Sequence, residues 1–301
     1  MEPDIDVKIH QLLDDLRSEE EDVRVEAAEA LGNLDQDLPN ISGALIDALK
    51  DEVRDVRWEA SYALYKKGQT SEQTKRDLLE GLRRPESEIR LQVVTLFGNL
   101  GQASDEVIHA LLTATKDPDN EVRTEAIYVL GKLSQSSDEA VNGLLTLLKD
   151  SDEGVQTEAV CALGNLGNSS DKVINALLLA SEDNNVNLRW AVVFAFIRLG
   201  QDSEQVVQAL FRLIEDTDSN VRSDSVCALG VLGQNSERVN RALLSALKDE
   251  SWLVRCNAVD AFGEEKRNSL EVTRALHKAL LDDHPLVRGA ATKALQKLGL
   301  E

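Results

Sequence analysis

Histidine and cysteine are the residues of this sequence best suited to metal binding or nucleophilic catalysis. The four histidines are His10, His109, His277 and His284. None has a second histidine three or four residues away, the spacing that places two ligands on one face of a helix. Scattered single histidines are typical of surface and helix-end positions. The sequence therefore predicts no metal site.

The three cysteines are candidates for a nucleophile or for covalent attachment of a cofactor. They are Cys161, Cys227 and Cys256, and no histidine lies beside any of them in the sequence. A reactive thiol needs such a neighbour to lower its pKa. We therefore interpret the cysteines as small side chains that fill helix interfaces. No phosphate-binding G-x-x-x-x-G-K-[ST] or G-x-G-x-x-G motif occurs either, so the sequence predicts a protein without enzymatic activity or cofactor.

An arginine that follows Val, Ile or Leu recurs every 33 residues. It occurs at Arg24, Arg57, Arg90, Arg123, Arg189, Arg222, Arg255 and Arg288, with Gln156 in the remaining place. No insertion or deletion interrupts the series. Periods of this length are typical of proteins built from stacked repeats.

Each repeat predicts two helices. The first begins near a serine, as at Ser104, which two acids follow, and the second carries an apolar stripe at helical spacing around the recurring arginine. A glycine commonly follows the second helix, where a left-handed residue would end it. These glycines are Gly68, Gly101, Gly167, Gly200, Gly233 and Gly299.

The predicted fold is an all-α solenoid (superhelix) of nine two-helix repeats, 33 residues each, forming a single domain over 1–301. The repeats cover roughly 5–37, 38–70, 71–103, 104–136, 137–169, 170–202, 203–235, 236–268 and 269–301.

The repeat carries an aspartate six residues before the arginine and then A-x-x-A-L-G-x-L, as in Ala159, Ala162, Leu163, Gly164 and Leu166. This pattern resembles the HEAT repeat, particularly the short HEAT-like repeat of phycobilisome-lyase-type proteins, over essentially the whole chain. The resemblance implies a structural ladder in which each aspartate and arginine pair with the neighbouring repeat. Its members here are Asp117, Arg123, Asp183, Arg189, Asp216, Arg222, Asp249 and Arg255. Ser18, Arg84 and Gln156 depart from the pattern.

The same resemblance implies that the second helices line a concave face. Positions one, two, five and nine after the arginine point outward by helical periodicity. Acidic residues collect at position two, and aromatic residues collect at positions one, five and eight. Amphipathic rings on a groove are common interface anchors. The predicted partner-binding residues are Trp58, Glu59, Tyr62, Tyr65, Glu125, Tyr128, Glu158, Trp190 and Phe194. The alternative is that these rings only cover the joints between neighbouring helices.

Charge and hydropathy restrict the partners. The 54 acidic and 33 basic residues give a net charge of −21, which repels phosphate backbones and favours a basic or amphipathic protein or peptide over nucleic acid. No apolar run is long enough for a membrane span. Unpaired cysteines and an acidic N-terminus predict a cytoplasmic protein. The ends show no special capping repeats, which leaves open a homodimer or a place within a longer multidomain chain.

Two functions are consistent with these features. The first is a non-catalytic scaffold or docking module that binds a polypeptide on its acidic, aromatic-bearing concave face. The second, which the resemblance implies, is a bilin (phycobiliprotein) lyase or a lyase-like chaperone subunit that holds the tetrapyrrole with Cys161 or Cys227. The uniform repeats favour the scaffold, since an active site usually breaks the pattern of its framework.

Overall fold

A computed structural model describes residues 3–35, 38–69, 71–101, 103–133, 137–233, 236–264 and 269–300 of the protein. These residues form eighteen α-helices and no β-strand. Two helices fall in each 33-residue repeat, so the prediction of an all-α fold with nine two-helix repeats is confirmed.

The first helices of the repeats are short, most of them ten residues long. They are α1 (Pro3–Asp15), α3 (Pro39–Ala48), α5 (Glu72–Gly81), α7 (Asp105–Ala114), α9 (Asp138–Leu147), α11 (Asp171–Ala180), α13 (Glu204–Leu213), α15 (Glu237–Ala246) and α17 (Leu270–Ala279). The second helices are α2 (Glu21–Gly32), α4 (Arg54–Gly68), α6 (Ser87–Leu100), α8 (Asn120–Lys132), α10 (Glu153–Leu166), α12 (Val186–Leu199), α14 (Ser219–Leu232), α16 (Trp252–Glu264) and α18 (Pro285–Leu298).

The chain divides into two compact units, Met1–Ala140 and Val141–Glu301. In each unit the second helices pack side by side in chain order. Eight of them also pack on the first helix of their own repeat, namely α2, α4, α6, α8, α12, α14, α16 and α18. The residue seven positions after the recurring arginine is buried in every repeat and forms a continuous apolar row within each unit. These residues are Leu31, Leu64, Phe97 and Leu130 in the first unit, and Leu163, Phe196, Leu229, Phe262 and Leu295 in the second.

Polar caps begin many of the helices. The Ser104 hydroxyl accepts a hydrogen bond from the Val107 amide, and the Asp119 carboxylate accepts one from the Glu121 amide at 2.9 Å. Four of the six predicted terminal glycines have the left-handed conformation, namely Gly101, Gly167, Gly200 and Gly299. Gly68 and Gly233 also stand at the ends of their helices, α4 and α14, but without the left-handed conformation.

The φ angles of Gly68 and Gly233 do not require glycine, but a Cβ at either position would lie very close to a neighbouring atom. Gly68 is the last residue of α4, and an added Cβ would lie 3.0 Å from a methyl group of Leu100. Gly233 has a φ of −77°, and an added Cβ would lie 2.5 Å from the carbonyl oxygen of Leu229.

Arg222 shows how consecutive repeats are joined. Its Nε and Nη2 donate to the two carboxylate oxygens of Asp249 in the next repeat, at 2.9 and 3.0 Å. Its Nη1 donates to the backbone carbonyls of Asp216 and Thr217 in its own repeat. One guanidinium therefore binds two repeats through a planar fork. The same fork joins Arg24 to Asp51, Arg90 to Asp117, Arg189 to Asp216 and Arg255 to Asp282.

The fork controls the charge state of its aspartate. Hydrogen bonding from Arg255 lowers the pKa of Asp282 to about 2, against the opposing effect of desolvation. A carboxyl whose pKa is lowered by folding stabilises the protein above its unfolded pKa of about 3.9, and that contribution is lost as the pH falls towards the folded value. The ladder therefore stabilises the fold throughout the neutral range.

Substitutions interrupt the ladder where the sequence departs from the pattern. Gln156 replaces an arginine and donates only to the carbonyl of Asp150 in its own repeat, and Asp183 of the following repeat is exposed. Arg84 stands where an aspartate would face Arg57, and it pairs with Asp47 instead. Arg123 donates hydrogen bonds to the backbone carbonyls of Asp117 and Pro118, as Arg222 does to those of Asp216 and Thr217.

A glycine eight positions after the arginine allows consecutive second helices to approach closely. A Cβ added at Gly164 would lie 2.8 Å from the Cα of Ala195, and one at Gly230 would lie 2.7 Å from the Cβ of Ala261. Gly32, Gly98 and Gly263 face Ala63, Val129 and Ala294 in the same way. These distances are shorter than a side chain tolerates, so the A-L-G-x-L glycine is a packing residue within a helix.

Replacing Arg222 by Lys should lower the free energy of unfolding by about 3 kcal/mol, because a lysine cannot form the fork and leaves Asp249 partly buried and incompletely paired. Arg57→Lys is the matched control. Arg57 makes only its two backbone contacts, at 2.7 and 2.9 Å, so we expect a loss below about 1 kcal/mol. Urea unfolding followed by circular dichroism measures both, and equal losses would contradict the role of the fork.

Gly164→Ala should destabilise the second unit by about 1–3 kcal/mol, because the new methyl group overlaps the backbone of Ala195. Gly289→Ala in α18 is the control, since no atom lies within 4 Å of an added Cβ there. It should stabilise by up to about 1 kcal/mol through helix propensity alone. Thermal unfolding of the two variants should shift in opposite directions, and a shared direction would refute the packing argument.

Candidate partner-binding face

The candidate site consists of outward side chains on the second helices. We define the second-helix face as the residues one, two and five positions after the recurring arginine or glutamine. Eight of the nine predicted partner-binding residues lie on it: Trp58, Glu59, Tyr62, Glu125, Tyr128, Glu158, Trp190 and Phe194. The ninth, Tyr65, lies eight positions after Arg57 and is half-buried, so it belongs to the joint between helices.

Helix α4 carries the largest exposed aromatic surface of the face. Trp58 and Tyr62 are 60% and 53% exposed and lie one helical turn apart. Their rings stack with centroids 5.5 Å apart and planes within 4° of parallel. The pair forms a flat apolar platform whose outer side is open to solvent. Such a surface is available to a partner without any rearrangement of the core.

The carboxylate of Glu59 lies beside this platform and is electrostatically strained. Desolvation raises its pKa, and so do the neighbouring carboxylates of Glu29 on α2 and Asp55 on α4. The structure shows no cation or hydrogen-bond donor that offsets this effect among the residues it describes around Glu59. The platform therefore sits in a negative potential that a cationic ligand would relieve.

Helix α8 contributes a smaller version of the same arrangement. Tyr128 is 51% exposed. Glu125 is half-buried and accepts a hydrogen bond from the Thr95 hydroxyl on α6 at 3.1 Å. This contact orients Glu125 along the joint between α6 and α8, so its carboxylate is less available to a partner than that of Glu59.

Helix α12 presents the aromatic pair of the second unit. Trp190 and Phe194 are 41% and 38% exposed. The indole Nε1 of Trp190 donates to the carboxylate of Asp224 on α14 at 2.7 Å. The guanidinium of Arg198 lies 5.8 Å from the centre of the Phe194 ring, within cation–π range. Arg198 was missed by the sequence analysis, although it lies one helical turn after Phe194.

Glu158 on α10 is a half-buried carboxylate at the same repeat position as Glu59. Desolvation alone raises its pKa, since no cation or donor among the described residues compensates its burial. Cys161 lies three residues after Glu158 on the same helix. Burial, followed by the charge of Glu158, raises the pKa of the Cys161 thiol to about 11.

The thiols of the face are poor nucleophiles. Burial also raises the pKa values of Cys227 and Cys256, each with a contribution from nearby carboxylates. All three cysteines are free, and each thiol is protonated at neutral pH. Within the described ranges, no group of three or more histidine, cysteine, aspartate or glutamate residues has the arrangement of a metal site. The face offers apolar and anionic contacts rather than reactive groups.

Clefts between neighbouring first helices lie away from this face. One of about 590 Å³ separates α15 from α17, and basic, acidic and apolar residues line it, among them Lys248, Glu271 and Val287. Another of about 440 Å³ separates α5 from α7. None of the exposed aromatic residues of the second-helix face lines either cleft.

Trp252, at the start of α16, is a further aromatic residue that the sequence analysis missed. It is 38% exposed and stacks on His284, with ring centroids 4.2 Å apart. Trp252 lies three positions before Arg255, and His284 lies four positions before Arg288. The two residues therefore belong to adjacent repeats, and their contact crosses the joint between these repeats. Helical periodicity within one repeat could not reveal it.

No helix in the described part of the chain is both long and apolar enough to cross a lipid bilayer.

The family comparison is consistent with the repeat pattern over most of the chain. A model of HEAT repeats matches residues 9–95, 75–164, 110–195 and 240–301. No curated protein sequence matches at a significant level.

Several solved structures share the fold at low sequence identity. The Escherichia coli protein YibA is 18% identical with a TM-score of 0.62, and the match covers 92% of this chain and 96% of YibA. Kap95p, in its complex with RanGDP, is 16% identical with a TM-score of 0.68 over 96% of this chain and 45% of Kap95p. Kap121p is also 16% identical, with a TM-score of 0.65 over 96% of this chain and 37% of Kap121p. The chain spans less than half the length of these two Kap proteins.

Replacing Glu158 by Gln should raise the melting temperature at neutral pH. A carboxyl whose pKa is raised by folding leaves the protein more stable below the unfolded pKa, and that stability is lost as the pH rises through the folded pKa. The gain should therefore be present at pH 7 and absent near pH 4. Glu26→Gln is the control, because Glu26 occupies the same repeat position on α2 but is exposed. Thermal unfolding at both pH values measures the effect, and an equal gain at pH 4 would contradict it.

Proposed function

The chain belongs to the HEAT-repeat family, and we propose that it is a non-catalytic scaffold that captures a polypeptide partner on its second-helix face. The observation that carries this proposal is the exposed aromatic surface beside uncompensated carboxylates. Aromatic side chains are the commonest energetic anchors of protein interfaces. Here they lie on rigid helices, so binding them costs little conformational entropy.

The charges of the face favour a basic or amphipathic partner. Glu59 and Glu158 have raised pKa values because no cation compensates their burial, and a lysine or arginine of a partner would supply that cation. A polyanion such as nucleic acid would be repelled by the net charge of −21. Kap95p, which shares the fold, is itself found bound to a protein, RanGDP.

The bilin lyase alternative has weaker support. Covalent handling of a tetrapyrrole through Cys161 or Cys227 would require a thiolate, and burial raises the pKa of both thiols. The packing glycine also continues through the repeats that carry Cys161 and Cys227, as Gly164 and Gly230. The fork is kept at Arg222 in the repeat of Cys227, although Gln156 replaces the arginine in the repeat of Cys161. We therefore favour binding over bond formation.

The decisive experiment is a peptide-display selection on the wild-type protein. Recovered peptides should be rich in lysine, arginine and apolar residues. Their affinity should fall at least tenfold in a variant with Trp58, Tyr62, Trp190 and Phe194 all changed to Ala, because each ring contributes buried apolar area on binding. Circular dichroism should show unchanged helical content, since all four side chains are more than a third exposed.

Leu179→Ser is the control substitution. Leu179 is 76% exposed on α11, a first helix, and removing it should leave the affinity of the selected peptides unchanged. Peptides that bind the fourfold variant as well as the wild type would show that the partner uses another surface.

A further inference from the structure

Eight second helices are followed by another second helix, and two of these eight depart from the packing rule that the other six keep. The position eight residues after the recurring arginine is a glycine on α2, α6, α8, α10, α14 and α16. On α4 it is Tyr65 and on α12 it is Ile197. A glycine there lets the next helix approach so closely that an added Cβ would meet it at about 2.6–3.0 Å. A tyrosine or isoleucine cannot occupy that space.

The two joints are correspondingly looser. Helices α4 and α6 contact each other less than α2 and α4 or α6 and α8 do. Helices α12 and α14 likewise contact each other less than α10 and α12 or α14 and α16 do. Tyr65 and Ile197 are both half-buried, so each joint exposes part of an apolar side chain.

The same two helices carry the aromatic pairs. Trp58 and Tyr62 on α4 correspond position by position to Trp190 and Phe194 on α12, four repeats later. No other repeat has aromatic residues at both of these positions. The correspondence extends to a basic residue bound to an asparagine one repeat earlier. Lys66 donates to Asn33 at 2.8 Å, and Arg198 donates to Asn165 at 3.3 Å.

We propose that these features form two matched docking stations, one in each unit, each for a short linear segment of a partner protein that presents an arginine beside an aliphatic residue. The first station consists of Trp58, Tyr62 and Tyr65, and the second of Trp190, Phe194 and Ile197. This inference rests on the proposed function and specifies its partner chemistry.

The charges of the two stations select the arginine. At the first station Glu59 follows Trp58 directly on α4, and the negative charges of Glu29 and Asp55 act on its carboxylate. At the second, Asp224 binds the edge of Trp190, and the desolvated Glu158 lies on the preceding helix. The guanidinium of Arg198, one helical turn after Phe194, already lies over the Phe194 ring. The ring therefore already makes one contact of the kind that we propose for the arginine of the ligand. The aliphatic neighbour of the ligand arginine would cover Tyr65 or Ile197 in the loosened joint.

The test uses a fluorescein-labelled decapeptide of alternating arginine and leucine in about 150 mM salt, which screens non-specific attraction. Titration calorimetry should give two peptides per chain, and fluorescence anisotropy should give their affinities. The double variant Trp58→Ala with Tyr62→Ala should lose one site, and Trp190→Ala with Phe194→Ala should lose the other, each with at least a tenfold loss of affinity. A peptide with citrulline in place of arginine should bind at least tenfold more weakly.

Leu179→Ser is the control here as well. Leu179 is 76% exposed, more than any ring of the two stations, but it lies on the first helix α11 and outside the second-helix face. Both sites should survive this change. The conservative pair Trp58→Phe with Tyr62→Phe should also keep both sites, which separates loss of the rings from loss of folding.

The stations are overturned if Leu179→Ser removes as much binding as the double variants, if the citrulline peptide binds equally well, or if the decapeptide does not bind. In the last case, peptides selected by display that still depend on the four aromatic residues would preserve the scaffold and refute only its arginine-selective stations. Display peptides that ignore those residues would refute both.

Discussion

The guanidinium fork between consecutive repeats is the interaction on which the remaining structure depends. Each ladder arginine binds two carbonyls of its own loop and both carboxylate oxygens of the next repeat, so one side chain sets the offset between two helix pairs. The glycine contact between second helices sets their separation. Because the fork sets the offset between consecutive helix pairs and the glycine contact sets the separation of their second helices, equivalent residues of successive repeats lie in rows within each unit. The chemistry of the second-helix face is therefore decided by single positions of the repeat.

Much of this arrangement could be predicted from the sequence because it depends on local periodicity. The 33-residue period placed both helices of every repeat, and the apolar stripe around the recurring arginine predicted that one side of each second helix is buried. The ladder followed from the family resemblance, including its interruption at Gln156 and Arg84. The outward direction of Trp58, Tyr62 and Trp190 followed from helical geometry alone.

Features that depend on distances between repeats could not be predicted in this way. Tyr65 was grouped with the exposed rings, but its burial depends on the spacing of α4 and α6. The stack of Trp252 on His284 and the bond from Trp190 to Asp224 both cross a joint. Gly68 and Gly233 end their helices without a left-handed backbone, and an added Cβ at these positions would lie close to Leu100 and Leu229 respectively. In each case the deciding atom belongs to a different turn or a different repeat.

The joint between the second and third repeats differs from its neighbours in how it would respond to mechanical load. Among the described residues Arg57 finds no carboxylate across this joint, and Tyr65 stands where a glycine would let the helices approach closely, so the buried apolar row between α4 and α6 is supplemented by ion pairs on the first-helix side. Lys50 pairs with Glu86 and Arg84 pairs with Asp47, all at exposed or partly exposed positions. Exposed ion pairs are weak and sensitive to ionic strength. Under tension the first unit would stretch at this hinge before any other described joint, and added salt would make the hinge more compliant.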